Sequence, residues 1–249
     1  MFTPRLALAS LSGRSTASWA RRVAPTVGAA FLGGIALDGP TRDAARALVA
    51  RGRSEFLPLD PVGFIDEQLQ SLTDTDLQAA FNVRAVDPDA TAEAARVCRD
   101  RQAVIEINAH CRQPEMCARG AGQRLLHDPD RLAEHIGAAA ATGATVSVKV
   151  RAEVPGVDLP ALADRIEAAG ASAIHVDAMD TESIIEPICS RTDLFVIANN
   201  GIRDGPTART YLEYGADAVS IARASDDPAV LDRVRQAVGG HRSARDVVG

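Results

Sequence analysis

The chain has 249 residues, of which 46% are hydrophobic and 24% are charged, and its formal net charge is −6. This composition is typical of a globular protein with a large core, and it excludes a membrane-spanning protein, whose helices need about 20 apolar residues each. The acidic balance also gives no support for a general nucleic-acid binder.

The cysteines are scattered without the C-x-x-C spacing of a zinc or iron–sulfur site. We therefore expect no metal site and reduced thiols, as in the cytoplasm. The segment "MFTPRLALASLSGRS" has an apolar part too short and too interrupted by serines for a secretory signal, which agrees with a cytoplasmic location. Three of the cysteines fall on predicted helices and are assigned to packing: Cys98, Cys117 and Cys189.

Short apolar runs alternate along the chain with segments of helical period, the pattern of β-α units on a parallel sheet. The predicted strands are 5–10, 28–36, 77–83, 103–108, 145–150, 173–177, 194–198 and 217–221. The predicted helices include 41–52, 89–101, 128–143, 159–170, 205–215 and 226–238. An additional helix over one face of the fold is expected within 53–72, because that segment is long for a loop.

Eight β-α units in about 250 residues predict a single (β/α)8 TIM barrel over 1–249. A doubly wound open sheet is the alternative, but no G-x-G-x-x-G motif follows the first strand. In a barrel, chemistry takes place at the carboxyl ends of the strands. Polar residues at those ends are Ser10, Ser12, Asp38, Asn82, Asn108, His110, Cys111, Lys149, Arg151, His175, Asp177, Asn199, Asn200 and Arg223.

The fourth strand, "VIEIN", leads into "AHCRQPEM", which contains Cys111 beside His110 and Arg112. A thiol at this position can be a nucleophile, a metal ligand, a general acid or a buried structural residue, and these alternatives stay open on the residues alone.

The fifth strand, "TVSVKVR", places Lys149 and Arg151 on one side, because side chains alternate along a strand. Lys149 is the only lysine in the chain. If it faces the barrel lumen, it must be paired with an anion or be neutral, which suits either a Schiff-base amine or an ammonium that donates to an electron-rich ring such as reduced flavin. The alternative is an outward lysine at the barrel edge.

The last three strands complete the predicted site. His175 ends up beside Lys149 on the neighbouring strand, which favours a functional role over simple core packing. "IANNGIRDGPTA" and "AVSIARASDDP" carry small residues before a helix start on the last two strands, and this arrangement predicts a phosphate site. Arg223 can add a charge-assisted contact to that phosphate.

The stretch "INAHCRQPEMCARGAGQRLLHDPDRL", followed by "SVKVRA", "IHVDAM", "IANNGI" and "GADAVSIARAS", resembles the flavin domain of tRNA-dihydrouridine synthases, especially a short archaeal group related to them. The similarity covers about 78–225. It implies a barrel that binds FMN, accepts electrons from NADPH and reduces the C5–C6 double bond of a uracil-type pyrimidine.

The resemblance also implies a role for each site residue. Cys111 corresponds to the general acid that protonates C5, and Asn108 and Arg151 correspond to substrate contacts. The residues implied in FMN binding are Gln78, Lys149, His175, Asn199, Asn200, Gly201, Ala222 and Arg223. The implied partner is a pyrimidine, either uridine in tRNA or a free base.

The chain departs from the family pattern at several positions. The family's Gly-Cys-Pro is His-Cys-Arg at 110–112, and a glycine of the last phosphate loop is Ala222. The chain is also expected to lack the helical C-terminal domain that grips tRNA in that family. Alternatives are therefore a small-molecule dihydropyrimidine or dihydroorotate-type enzyme, a phosphate-binding aldolase or lyase with a Schiff base on Lys149, and a barrel that only senses a nucleotide or phosphate.

Overall fold

The computed structural model describes residues 1–239, and they form a closed barrel of eight parallel strands in the order β1 to β8. The strands are β1 Leu6–Leu8, β2 Ala29–Ala36, β3 Gln78–Arg84, β4 Val104–Asn108, β5 Thr145–Arg151, β6 Ala173–Asp177, β7 Phe195–Asn199 and β8 Ala218–Ile221. The predicted single-domain (β/α)8 barrel is confirmed, and the last ten residues of the predicted domain lie outside the described residues.

The helices of the described part surround the barrel. They are α1 Ala17–Arg21, α2 Gly39–Ala50, α3 Pro61–Gln70, α4 Pro88–Asp100, α5 Pro114–Ala118, α6 Pro129–Ala140, α7 Leu159–Ala168, α8 Ile185–Arg191, α9 Gly205–Glu213 and α10 Pro228–Val238. Short 3₁₀ turns lie at Gly122–His127, Glu182–Ile184 and Arg223–Asp226. The additional helix expected within 53–72 is α3, which packs against α4 and β3.

Helix starts follow one repeated local rule. An aspartate stands immediately before seven of the helices, accepts a hydrogen bond from a backbone N–H of the first turn, and is followed by a proline at one of the first two helical positions. The carboxylate satisfies a donor that the helix leaves free, and proline has no N–H to satisfy. The closed parallel sheet brings the carboxyl ends of all eight strands together at one mouth.

Side chains alternate between two environments along each strand. On β5, Val146, Val148 and Val150 belong to the large core between the sheet and the helices, whereas Ser147 and Lys149 face the lumen. The amino-terminal half of the lumen is filled by a separate apolar cluster, made of Phe2, Ala7, Ala29, Phe31, Ala80, Val104, Ile197 and Ala218. The carboxyl-terminal half is polar, and it carries the candidate site. No helix within residues 1–239 has the length and hydropathy needed to span a bilayer.

Candidate active site

A chain of hydrogen bonds crosses the lumen from β3 to β8. Asn82 Nδ2 donates to Glu106 Oε1 at 2.7 Å, and Glu106 Oε2 lies 2.7 Å from His175 Nδ1. His175 Nε2 lies 2.7 Å from Ser220 Oγ, and the same hydroxyl oxygen accepts a hydrogen bond from Asn199 Nδ2 at 2.9 Å. Strands distant in sequence are thereby joined through buried side chains, because each polar atom taken from water needs a partner.

The charge states of Glu106 and His175 in this hydrogen-bond network follow from their contacts. Burial raises the pKa of Glu106, but His175, Lys149 and Asn82 favour the carboxylate and hold its pKa below the ordinary value. Burial lowers the pKa of His175, which favours the neutral ring. A carboxylate only accepts hydrogen bonds, so the His175 ring carries its proton on Nδ1 and accepts from Ser220 at Nε2.

Lys149 lies within the lumen, next to the hydrogen-bond network of Glu106 and His175. The predicted inward orientation is therefore confirmed, and the outward alternative is wrong. Its side chain is 3% exposed, and its Nζ makes no hydrogen bond to any of residues 1–239. Burial lowers the pKa of Lys149, whereas the charges of Glu106 and Asp177 favour the ammonium. An ammonium that keeps its donors free among anions is suited to a ligand above it.

The rim above Lys149 holds a second cluster. His110 Nε2 is 2.6 Å from Asp177 Oδ2, Arg151 Nη1 is 3.3 Å from the same oxygen, and Asn200 Nδ2 donates to Asp177 Oδ1 at 2.9 Å. Burial opposes ionisation of Asp177, but these partners hold its pKa well below the ordinary value. His110 and Asp177 appeared among the polar strand ends, but their pairing was not expected from the sequence.

Asn108 controls the turn after β4. Its side-chain Oδ1 accepts from the backbone N–H of His110 at 3.1 Å and of Cys111 at 2.8 Å, while its Nδ2 donates to Asn82 Oδ1 at 2.8 Å. Cys111 is half-buried, and its side chain packs against an apolar cluster made of Ala36, Ala44, Ala45, Leu48 and Met116. The residue whose side chain reaches the charged groups of the rim is therefore His110, next to Cys111.

The ends of β7 and β8 carry the predicted phosphate loops. Asn200 and Gly201 have φ of +77° and +71°, a left-handed pair that turns the backbone N–H groups of this loop. The 3₁₀ turn Arg223–Asp226 begins after Ala222, which provides no side-chain cap, so its first N–H groups are left without that acceptor. Ser225 is 5% exposed, and its Oγ has no partner among the described residues.

Gln78 does not lie with the other candidate residues. It is the first residue of β3, at the amino-terminal end of the barrel, where its Nε2 donates to Gln102 O at 3.0 Å beside a cavity of about 450 Å³. A strand rises about 3.3 Å per residue, so Gln78 lies roughly 13 Å below Asn82 on the same face. The expected contact between Gln78 and a flavin ring at the mouth is therefore wrong, and Asn82 is the β3 amide that reaches the site.

A buried ion pair completes the rim between β1 and β3. The Arg84 guanidinium bonds Glu55 and the carbonyl of Gly34, and both charged side chains are 1% exposed. Sequence reasoning missed both residues, although Arg84 has the lumen parity of Asn82 on the same strand. Within residues 1–239, no group of three histidine, cysteine or acidic side chains is placed to hold a metal ion.

A closed parallel barrel whose ionisable side chains gather at the carboxyl ends of its strands defines a (β/α)8 barrel with an enzyme-like mouth. The family model described as dihydrouridine synthase (Dus) matches residues 66–247. Because that match covers more than half of the chain, the protein belongs to the dihydrouridine synthase family. The resemblance identified in the sequence is confirmed, and membership supports an oxidoreductase of the dihydrouridine synthase type.

Two curated relatives agree with this assignment. An uncharacterized protein of Methanocaldococcus jannaschii is 28% identical over 230 residues, which are 88% of each chain, and it fits the short archaeal group named above. The tRNA-dihydrouridine synthase B of Proteus vulgaris is 31% identical over 163 residues, which cover 59% of this chain and 50% of that enzyme. The match thus spans half of the Proteus vulgaris enzyme.

Solved structures show the fold alone. FabK from Thermotoga maritima superposes with a TM-score of 0.57 at 17% identity, covering 88% of this chain and 57% of that one. The 3-hexulose-6-phosphate synthase from Salmonella typhimurium also gives 0.57 at 17% identity, covering 95% and 99%.

Proposed function

We propose that the protein is an FMN-dependent oxidoreductase that reduces the C5–C6 double bond of a uracil-type pyrimidine, with NADPH as the electron donor. The observation that carries this proposal is Lys149, a buried ammonium at the barrel mouth whose donors are free among residues 1–239. A buried cation is expensive unless it serves an anion or an electron-rich group, and the pyrimidine edge of a reduced flavin is such a group.

The residues at the ends of β7 and β8 fit the phosphate of FMN. The turn that starts uncapped at Ala222 and the unpartnered hydroxyl of Ser225 supply donors after β8, and the left-handed pair Asn200–Gly201 shapes the loop after β7, where the Gly201 N–H donates to Asn200 Oδ1. Oriented N–H groups of this kind bind phosphate oxygens, and Arg223 adds a positive charge. Asn199 acts indirectly, since its amide bonds Ser220 and fixes the end of β7.

FMN supplies the hydride chemistry when it is bound. The chain's own residues orient the reaction: Lys149 fixes the charged edge of the cofactor, and Glu106 balances the charge of Lys149 from below. His175 acts beneath the mouth, where it links Glu106 to Ser220, and is assigned a supporting role.

Cys111 remains the proposed proton donor for C5. It follows directly after His110 in the turn that the Asn108 amide holds, which places Cys111 in the loop at the carboxyl end of β4. A positioned proton donor contributes roughly 10²- to 10⁴-fold to such a step. Asn108 is assigned to positioning of this turn and Arg151 to substrate contact.

The first substrate we propose is uridine in tRNA, because the chain belongs to the dihydrouridine synthase family. A free pyrimidine is the second, since the chain is acidic as a whole and its mouth is balanced between cationic and anionic side chains. The two substrates are separated by supplying each with NADPH and measuring dihydrouridine by mass spectrometry, in digested tRNA in one arm and in the free nucleoside in the other.

An absorption spectrum of the purified protein tests the proposal directly. We expect flavin bands, either as isolated or after incubation with FMN, and bleaching when NADPH is added under anaerobic conditions. A protein that takes up no FMN contradicts the proposal. Replacement Lys149→Met is expected to weaken FMN binding, whereas Arg209→Met on the exposed surface of α9 is the matched loss of one positive charge.

A second candidate function is a Schiff-base aldolase or lyase. The observation in its favour is the lowered pKa of Lys149, since a buried amine that loses its proton more readily is a better nucleophile. Borohydride trapping of a phosphorylated carbonyl substrate on Lys149 supports it. A flavin spectrum without trapping excludes it.

A further inference from the structure

The rim cluster of His110, Asp177 and Arg151 presents a hydrogen-bonding pattern whose role the proposed function leaves open. Asp177 is 5% exposed and accepts from Asn200 at one oxygen, and it faces His110 Nε2 at 2.6 Å with the other. An ionised carboxylate has no proton to give, so the hydrogen of this contact is on His110 Nε2. The contact therefore fixes the tautomer of His110.

The other ring nitrogen of His110 is left as an acceptor. Burial lowers the pKa of His110, and the charges of Lys149 and Arg151 act in the same direction, against the attraction of Asp177. At neutral pH the ring is neutral, and its Nδ1 carries a lone pair. No atom of residues 1–239 donates to it, and the side chain is 27% exposed at the rim.

Arg151 lies against the same ring, on the side of its Nε2. Its Nη1 lies 3.3 Å from Asp177 Oδ2 and 3.5 Å from His110 Nε2, too far for a hydrogen bond to the ring. Its Nε and Nη2 make no hydrogen bond to the described residues, and the side chain is 21% exposed. The Arg151 guanidinium and the His110 ring are therefore neighbours held by one carboxylate, and each keeps a hydrogen-bonding group for a ligand: Nε and Nη2 of Arg151 as donors, and Nδ1 of His110 as acceptor.

We propose that His110 and Arg151 recognise the cyclic imide edge of a uracil-type ring, with His110 Nδ1 accepting from N3–H and Arg151 donating to the adjacent carbonyl. The inference rests on the proposed function and names the residues that select its substrate. Uracil presents a donor at N3, whereas cytosine presents a lone pair there, which would face the lone pair of His110. The pattern selects uracil over cytosine, because buried polar groups left unpaired reject the wrong ring.

The isoalloxazine of FMN also ends in a cyclic imide, so His110 and Arg151 could recognise this edge in the cofactor or in the substrate. We assign the recognised imide to the pyrimidine substrate, because Lys149 and the loops after β7 and β8 already provide contacts for the cofactor. Asp177 is a positioning residue in this scheme, since it acts through the ring of His110.

The tautomer is tested first, by ¹⁵N NMR of histidine-labelled protein without any ligand. We expect His110 at pH 7.5 to show the neutral Nε2–H tautomer, assigned by its loss in His110→Ala, and we expect Asp177→Asn to change that signature. An imidazolium, or a neutral ring with its proton on Nδ1, overturns the inference. The exposed His127→Ala is the control, and it should leave the His110 signal unchanged.

Recognition is tested by titration with uracil and 3-methyluracil on the FMN-loaded protein, followed through the same signals. We expect uracil to shift the Nδ1 signal of His110 and 3-methyluracil to bind at least tenfold more weakly, with the difference lost in His110→Ala and partly kept in His110→Gln, whose amide oxygen is an acceptor. Equal binding of the two pyrimidines, or binding of neither, overturns the inference. A parallel arm compares the uptake of FMN and N3-methyl-FMN. If wild type takes up N3-methyl-FMN more weakly than FMN, and His110→Ala does not, then His110 and Arg151 recognise the imide of the cofactor, and the assignment to the substrate is overturned. If wild type takes up no FMN at all, the absorption spectrum shows this, and the result counts against the proposed FMN-dependent function.

Discussion

Glu106 Oε2 and His175 Nδ1 lie 2.7 Å apart in the barrel lumen, and both side chains are fully buried. Glu106 accepts there from His175 with one oxygen and from Asn82 with the other, and its charge balances Lys149. The position of Lys149 therefore depends on a carboxylate that only the folded barrel brings to it.

The substitution Glu106→Gln is expected to lower the free energy of unfolding by about 3 kcal/mol, the lower end for breaking a buried charge pair. An amide offers one accepting oxygen in place of two, so its NH₂ faces a donor, and Lys149 loses its nearest countercharge. Urea denaturation measures the loss. Glu213→Gln, on the exposed side of α9, is the control and should change stability by no more than about 0.5 kcal/mol. Equal stability of the two variants contradicts an ionised Glu106.

Most of the barrel could be predicted from the sequence because both faces of its strands are buried. Runs such as "AIHVD" and "TVSVKVR" are apolar on the helix side and small or polar on the lumen side, and the predicted bounds agree with the observed strands within about two residues at each end. The period of two along β5 put Lys149 on the side opposite the valines, and the closed barrel shows that this side is the lumen.

The pairing of site residues could not be predicted in the same way. Glu106 shares its parity with Asn108, so its lumen position was available in the sequence, but its contact with His175 joins strands 69 residues apart. Gln78 was placed in the site by its motif and lies at the opposite end, because the motif gives no distance along the strand. The reach of His110 to Asp177 across β5 depends on the curvature of the closed barrel.

Stability is expected to fall as the pH decreases from 7.5 to 5.5. Burial is the main cause of the lowered pKa of His110, His135 and His175, so the folded protein binds fewer protons than the unfolded chain below the unfolded value of about 6.5. Because the unfolded state takes up more protons in this window, acid favours unfolding. Urea denaturation across the window measures the slope.

His135 lies outside the candidate site, so its replacement separates one contribution to the dependence of stability on pH. It is fully buried in α6, with Nδ1 2.8 Å from Thr91 Oγ1. His135→Gln should flatten the dependence of unfolding free energy on pH, whereas replacement of the exposed His127 by Gln should leave it as in wild type. An unchanged slope in His135→Gln would show that this ring does not resist protonation.

The single lysine gives direct access to the charge state of the site. Reductive ¹³C-methylation labels only Lys149 and the amino terminus, so NMR titration reads the dimethylated Lys149 amine without further assignment. We expect its pKa to lie below that of a dimethylated lysine in a short peptide, because burial outweighs the attraction of Glu106 and Asp177. Added FMN should shift the Lys149 signal but not that of the amino terminus, and a pKa equal to the peptide value would contradict burial of the amine.

The variant Cys111→Ala tests the proton donor itself. Its backbone hydrogen bond to Asn108 is retained, so the turn and FMN binding are expected to stay as in wild type. Reduction of bound FMN by NADPH should also be unchanged, because that half-reaction needs no proton on the pyrimidine. Oxidation of reduced enzyme by the pyrimidine should slow roughly 10²- to 10⁴-fold, as measured by stopped-flow absorbance. Cys189→Ala, on α8 in the outer layer, is the matched control, and equal rates for the two variants would remove Cys111 from this role and leave His110 as the nearest ionisable group of the same turn.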